Sequence, residues 1–101
     1  MILYNVTISI EKESSQEWQK WMKTKHIPEV MAVGIFKEYK FLRLMTEIED
    51  NQGDTFAIQY FCENMKALDH YMEQFATKLQ NEHTEKYKGK FIAFRTILQE
   101  V

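Results

Sequence analysis

The chain has 101 residues, 45% of them apolar and 14% aromatic, with a net charge of −2 spread over mixed signs. That length suits one domain over residues 1–101, small enough to bury only about two-thirds of the surface its unfolded form exposes. The charge balance speaks against a dedicated nucleic-acid surface, which needs a basic stripe to neutralise phosphates, and no apolar run approaches the roughly 20 residues of a membrane span.

The first segment alternates. Ile2, Tyr4, Val6, Ile8 and Ile10 share one parity and Leu3, Asn5, Thr7 and Ser9 the other, which predicts a half-buried strand. Ser14 or Ser15 is the expected N-cap of a helix carrying Trp18, Trp21 and Met22. That helix should end near His26, because Ile27 precedes Pro28 and is pushed away from the α region. A further turn over residues 29–33 would stop at Gly34. Residues 35–46 read as a second strand with broken alternation: Tyr39 and Phe41 lie on one parity, Leu42 and Leu44 on the other. Either a bulge or apolar groups on both faces would explain it. The acidic, turn-rich residues 47–54 predict a solvated hairpin loop. Residues 55–62 form a third strand, and Asn64 caps a helix with an apolar stripe of Met65, Leu68, Met72, Phe75 and Leu79. Residues 91–101 form the last strand.

The order β-α-β-β-α-β, with two right-handed crossovers around a hairpin, gives an α+β ferredoxin-like unit with a four-stranded antiparallel sheet. Two helices can cover only one face of such a sheet. Leu3, Phe61, Phe91 and Ile97 are expected on the other, and a patch that size marks an interface. A two-fold homodimer with its sheets face to face is the expected cover.

The pattern over the whole chain resembles the dimeric α+β barrel superfamily, which includes cofactor-free quinol monooxygenases, haem-degrading monooxygenases and muconolactone isomerase. More narrowly, the opening Met1-Ile2-Leu3-Tyr4-Asn5-Val6-Thr7, the run from Trp21-Met22-Lys23 through His26-Ile27-Pro28-Glu29-Val30-Met31-Ala32 to Gly34, Ala57-Ile58-Gln59-Tyr60 and Phe94-Arg95-Thr96 resemble a family of short bacterial proteins of unknown function. That resemblance implies a fold but no activity. In the haem-degrading branch an Asn on the first strand works with a Trp and a His on or near the second helix. Asn5 fits the first, Tyr71 stands where the Trp would be and His83 is the candidate His; losing the Trp argues against haem.

Strand parity places Asn5, Thr7, Gln59 and Arg95 on the dimer-facing side, where they would converge on a polar spot in an apolar cleft. There Arg95 could hold a carboxylate or phenolate in two-pronged fashion; alternatively these groups satisfy one another. His26, beside Glu29, is a candidate base at the cleft mouth or a helix-end residue packed near Trp21 and Met22. Tyr71 should lie in or beside the core, His70 in solvent, and His83 at a helix end in a capping role. No metal site is expected: the three histidines lack ligand spacing, and Glu47, Glu49, Asp50 and Asp54 lack the pattern of a calcium loop. Nor is a cofactor expected, since neither a phosphate loop nor a nucleophile elbow is present. Cys62, the only cysteine, lacks an evident base, and with no signal peptide over the first residues the expected location is a reducing cytoplasm.

Two functional readings follow. One is a small dimeric module binding an apolar ligand or a protein partner in its cleft. The other is a cofactor-independent monooxygenase or isomerase acting on an aromatic or polyketide-like molecule, with Asn5, Gln59, Arg95 and His26 positioning an oxyanion and moving a proton.

Overall fold

The computed structural model describes residues 1–46 and 53–101. Chain order is β1 (Ile2–Glu11), α1 (Lys12–Trp21), a π-helical turn (Met22–His26), α2 (Ile27–Ala32), β2 (Glu38–Arg43), β3 (Gly53–Cys62), α3 (Met65–Tyr71), a second π-helical turn (Met72–Ala76), α4 (Thr77–Lys86) and β4 (Phe91–Gln99). Each π turn joins its flanking α segments, so two long helices pack on a four-stranded antiparallel sheet of order β2-β3-β1-β4. This is the ferredoxin-like arrangement, with the first strand between the third and the fourth.

The core lies between the helices and one sheet face. Ile2, Tyr4, Val6, Ile8 and Ile10 of β1 point there, opposite Cys62, Tyr60, Ile58, Phe56 and Asp54 of β3. Trp18 and Leu68 seal the layer from the helix side, both with no exposed surface. Tyr4, Phe36, Tyr60 and Tyr71 form an aromatic cluster, with Phe36 edge-on to Tyr71 at 4.8 Å.

Several expectations about the helices change. The first helix leaves β1 at Lys12 with Glu11 before it, and no side chain caps it. Ser14 and Ser15 are buried in its first turn, where the Ser14 hydroxyl donates to Glu11 Oε1 at 2.8 Å. Nor does the helix end near His26. Ile27 stays helical (φ −62°, ψ −44°) and its N–H bonds the carbonyl of Met22, five residues back. A wide turn can absorb Pro28, whose ring would crowd the carbonyl four residues before it. Burial of Ile27 and Val30, each 1% exposed, outweighs the local penalty on Ile27.

The π turn in the second helix moves its apolar stripe by one residue. Phe75 is exposed and Ala76 takes the core position, followed by Leu79, His83 and Tyr87. Asn64 caps this helix as expected, accepting the Ala67 N–H at 2.9 Å. β2 pairs with β3 without a bulge, so its broken alternation means apolar groups on both faces. Of the acidic hairpin, residues 47–52 lie outside the described residues, while Asp54 is within β3 and faces Arg43 at 3.8 Å.

The open face differs from expectation at β4. Leu3 and Phe61 lie on it, but Val6 pairs with Arg95, Tyr4 with Ile97 and Ile10 with Phe91, so Arg95, Ile97 and Phe91 belong to the helix side. Ile92, Phe94 and Leu98 project outward instead, at 75%, 60% and 49% exposure. Both parities of β4 carry large apolar groups, so periodicity cannot choose between them; the pairing with β1 does.

A Cβ on Gly53 would lie 2.3 Å from the backbone oxygen of Ile10, a contact only backbone movement could relieve. Gly53→Ala is therefore expected to destabilise the fold by about 1–3 kcal/mol, read as a lower urea midpoint. Asn64→Ala should cost about 1 kcal/mol by loss of the cap. Unchanged midpoints would show that the strand end and the cap relax freely.

Candidate functional site

The five residues singled out in the sequence separate onto two faces. Asn5, Thr7 and Gln59 lie on the open face; Asn5 Nδ2 donates to Thr7 Oγ1 at 3.0 Å and to Thr96 Oγ1 at 3.2 Å, so part of this group satisfies itself. Asn5 Oδ1 is buried without a hydrogen-bond partner among the described residues. Arg95 does not join them. It lines a cleft on the helix side, together with His26. Asn5 and His83 likewise fall on opposite faces, so the haem-degrading constellation does not assemble.

The cleft lies between the sheet and both long helices. Tyr4, Val6, Ile58 and Arg95 line its sheet wall; Met22, His26, Tyr71, Gln80 and His83 line its helix wall. The centres of water-sized spheres have about 30 Å³ of room in the cleft, space for a water or two. Counting its solvent-open mouth, the cleft measures about 460 Å³. Arg95 is exposed, on an edge strand at the rim, and no carboxylate of a described residue forms an ion pair with it.

The π turns bear on this site. The first ends at His26, and the second follows Tyr71 and precedes the segment carrying Gln80 and His83. Single π turns occur often at functional sites because they redirect side chains without ending the helix. His83 is 5% exposed, far from the helix-end capping role its sequence position suggested. A signal for this was legible: Leu79, His83 and Tyr87 recur at steps of four. Tyr71 is buried and His70 exposed, as expected.

The two imidazole rings lie 5.7 Å apart. Trp18 Nε1 donates to His83 Nε2 at 2.9 Å, and Trp21 stacks on His26 at 5.2 Å. Burial pushes both histidines down to about 4, chiefly because a charged imidazolium is poorly solvated there, and Arg95 adds to the effect. His26 Nδ1 is buried with no hydrogen-bond partner among the described residues. Burial also raises the Tyr4 hydroxyl, against the opposing charge of Arg95, while Gln80 Nε2 reaches that hydroxyl at 3.4 Å. At neutral pH the cleft thus combines one guanidinium, two neutral imidazoles and neutral phenols. Among the described residues, no cluster of three or more His, Cys, Asp or Glu is placed to hold a metal ion.

Between pH about 4 and 6.5 these histidines bind more protons unfolded than folded. Their contribution to stability is present above the unfolded value of 6.5 and is lost as the pH falls towards 4, at up to about 1.4 kcal/mol per pH unit for each ring. Urea titrations across that window should show stability falling with acid, and a shallower fall in His83→Gln and in His26→Gln. Equal slopes in both variants and the parent would place the proton uptake elsewhere.

A search of curated proteins finds no match to the sequence. Solved structures share its fold. An ethyl tert-butyl ether d (ethd) family protein from Bacillus halodurans superposes with a TM-score of 0.69 at 16% identity, covering all of both chains. A dimeric ferredoxin-like protein from an uncultured marine organism gives 0.70 at 8% identity, covering 100% of this chain and 95% of the other. An antibiotic biosynthesis monooxygenase gives 0.61 at 13% identity, covering 100% of this chain and 99% of the other. At such identities the likeness establishes the fold alone. The family model for the domain of unknown function DUF4286 matches residues 1–101, and the chain belongs to that family.

Proposed function

We propose that the chain works as a homodimeric module over its whole length and that its helix-side cleft binds a small, flat, ring-bearing anion such as an aromatic carboxylate or a phenolate. The observation that carries this is Arg95, a guanidinium without a carboxylate partner among the described residues, at the rim of a cleft walled by aromatic rings and neutral imidazoles. Rings supply apolar area while one cation and a few hydrogen-bonding groups orient the ligand. The room between the walls is small, so the ligand enters by displacing the side chains at the mouth, Gln80 and Arg95 first.

The dimer is supported by the open sheet face, where Leu42, Leu44, Ile92, Phe94 and Leu98 are each more than 40% exposed, and by a structural neighbour described as dimeric. Burying that face against a second copy would take these apolar side chains out of water. The buried, unpaired Cys62 suits a reducing cytoplasm. No described helix is long and apolar enough to cross a membrane.

A second reading is a cofactor-independent monooxygenase or isomerase acting on an aromatic or polyketide-like molecule. It is favoured by the orphaned His26 Nδ1, which offers a proton-transfer site beside the cation, and by a neighbour named as a monooxygenase. An imidazole held at about 4 is a weak base at neutral pH, so this reading requires the bound anion to raise it.

Benzoate is the probe. Calorimetric or NMR titration should show saturable binding to the parent and at least a tenfold loss in Arg95→Gln, with the dimer unchanged in sedimentation velocity. Equal binding by Arg95→Gln would remove the cleft assignment. In the same instrument Phe94→Asp should sediment as a monomer; a monomeric parent at micromolar concentration would overturn the dimer.

A further inference from the structure

Trp18 is fully buried against Phe41 of β2 and Phe56 of β3, yet its one polar side-chain atom is spent on an imidazole. An indole N–H can only donate. Its bond to His83 Nε2, at 2.9 Å, therefore requires that nitrogen to present its lone pair. The neutral ring then carries its proton on Nδ1, which makes no hydrogen bond to a described residue. The ring cannot turn readily to exchange its nitrogens, because Phe91 packs edge-on at 4.5 Å and Tyr87 and Trp21 lie at 5.6 and 5.8 Å.

We infer that Trp18 is a positioning residue that makes His83 a fixed Nδ1–H donor, so that the cleft accepts ligands through an oxyanion (carboxylate, phenolate or enolate) shared between His83 and Arg95. This rests on the cleft being a ligand site, and it narrows that reading. His83 gives a hydrogen bond and takes no proton, so any proton-accepting role falls to His26. A ligand offering only a donor, such as a protonated amine, meets two donors and is refused. The depressed basicity of His83 agrees with this: protonating Nε2 would break the Trp18 bond as well as charge a buried ring.

The test begins on the unliganded parent at pH 7, with nitrogen-15 NMR of the imidazoles. The expected spectrum shows His83 as the Nδ1–H tautomer, with a lone pair on Nε2. An Nε2–H tautomer or an imidazolium would overturn the assignment. Benzoate is then titrated, with benzylamine as the cationic control. The His83 Nδ1–H resonance should move on saturation with benzoate and stay fixed with benzylamine. Benzoate binding with that resonance unmoved overturns the role of His83 and leaves the cleft standing; no benzoate binding at all overturns both. His83→Asn, which can place an amide N–H near the Nδ1 position, should keep affinity within about threefold, whereas His83→Leu should lose at least tenfold. Trp18→Phe should give a mixed tautomer; because Trp18 is a core residue, the parent spectra decide the matter if that variant fails to fold.

Discussion

β1 is hydrogen-bonded along both edges, to β3 and to β4, so its backbone is fixed in the middle of the sheet and its pleat sends successive side chains to opposite faces. The rest of the molecule follows that division. One side of β1, apolar but for the Tyr4 hydroxyl, takes the helices. The other carries Leu3, Asn5, Thr7 and Ser9 and takes none of the described helices. Because pairing partners share a face, the register of β1 decides on which side every residue of β3 and β4 must stand. Arg95 reaches the cleft because it pairs with Val6, and a slip of one residue would send it out to the open face.

Within the helix layer the core is not uniformly apolar. Trp18, His26, His83 and the phenols of Tyr4 and Tyr71 place polar atoms among packed rings. Buried polar groups ordinarily pair off. Here Trp18 and His83 do, while His26 Nδ1 does not and Arg95 has no counter-charge among the described residues. A core built for stability alone would gain by replacing these groups with aliphatic side chains. His26 ends the first π turn, and the second lies between Tyr71 and the segment that carries Gln80 and His83, so these groups stand on or beside the places where the two long helices redirect their side chains.

The open face raises a different demand. Its apolar side chains are solvent-exposed in the lone chain, and their burial against another surface would add to the stability of a small domain whose own core is limited. Cleft and open face share the central strands, back to back. A subunit packed on one side of the sheet would stiffen the wall that carries Tyr4, Val6 and Ile58 on the other.

By itself the sequence determined the element types and their order, the core side of β1 and β3, the Asn64 cap and the surplus of apolar surface, because each depends on local spacing that a strand or helix repeats. It also put forward Arg95 and His26 as candidate site residues, together with Asn5, Thr7 and Gln59, which lie on the other face. Only the tertiary structure decided which side of the sheet Arg95 occupies, since β4 is apolar on both parities and its face is set by the strand it pairs with. The path of the first helix through Pro28 was decided there too. It depends on a π turn, and a π turn appears where packing against the sheet outweighs the local preference of the backbone, a balance the chain strikes only once it is folded.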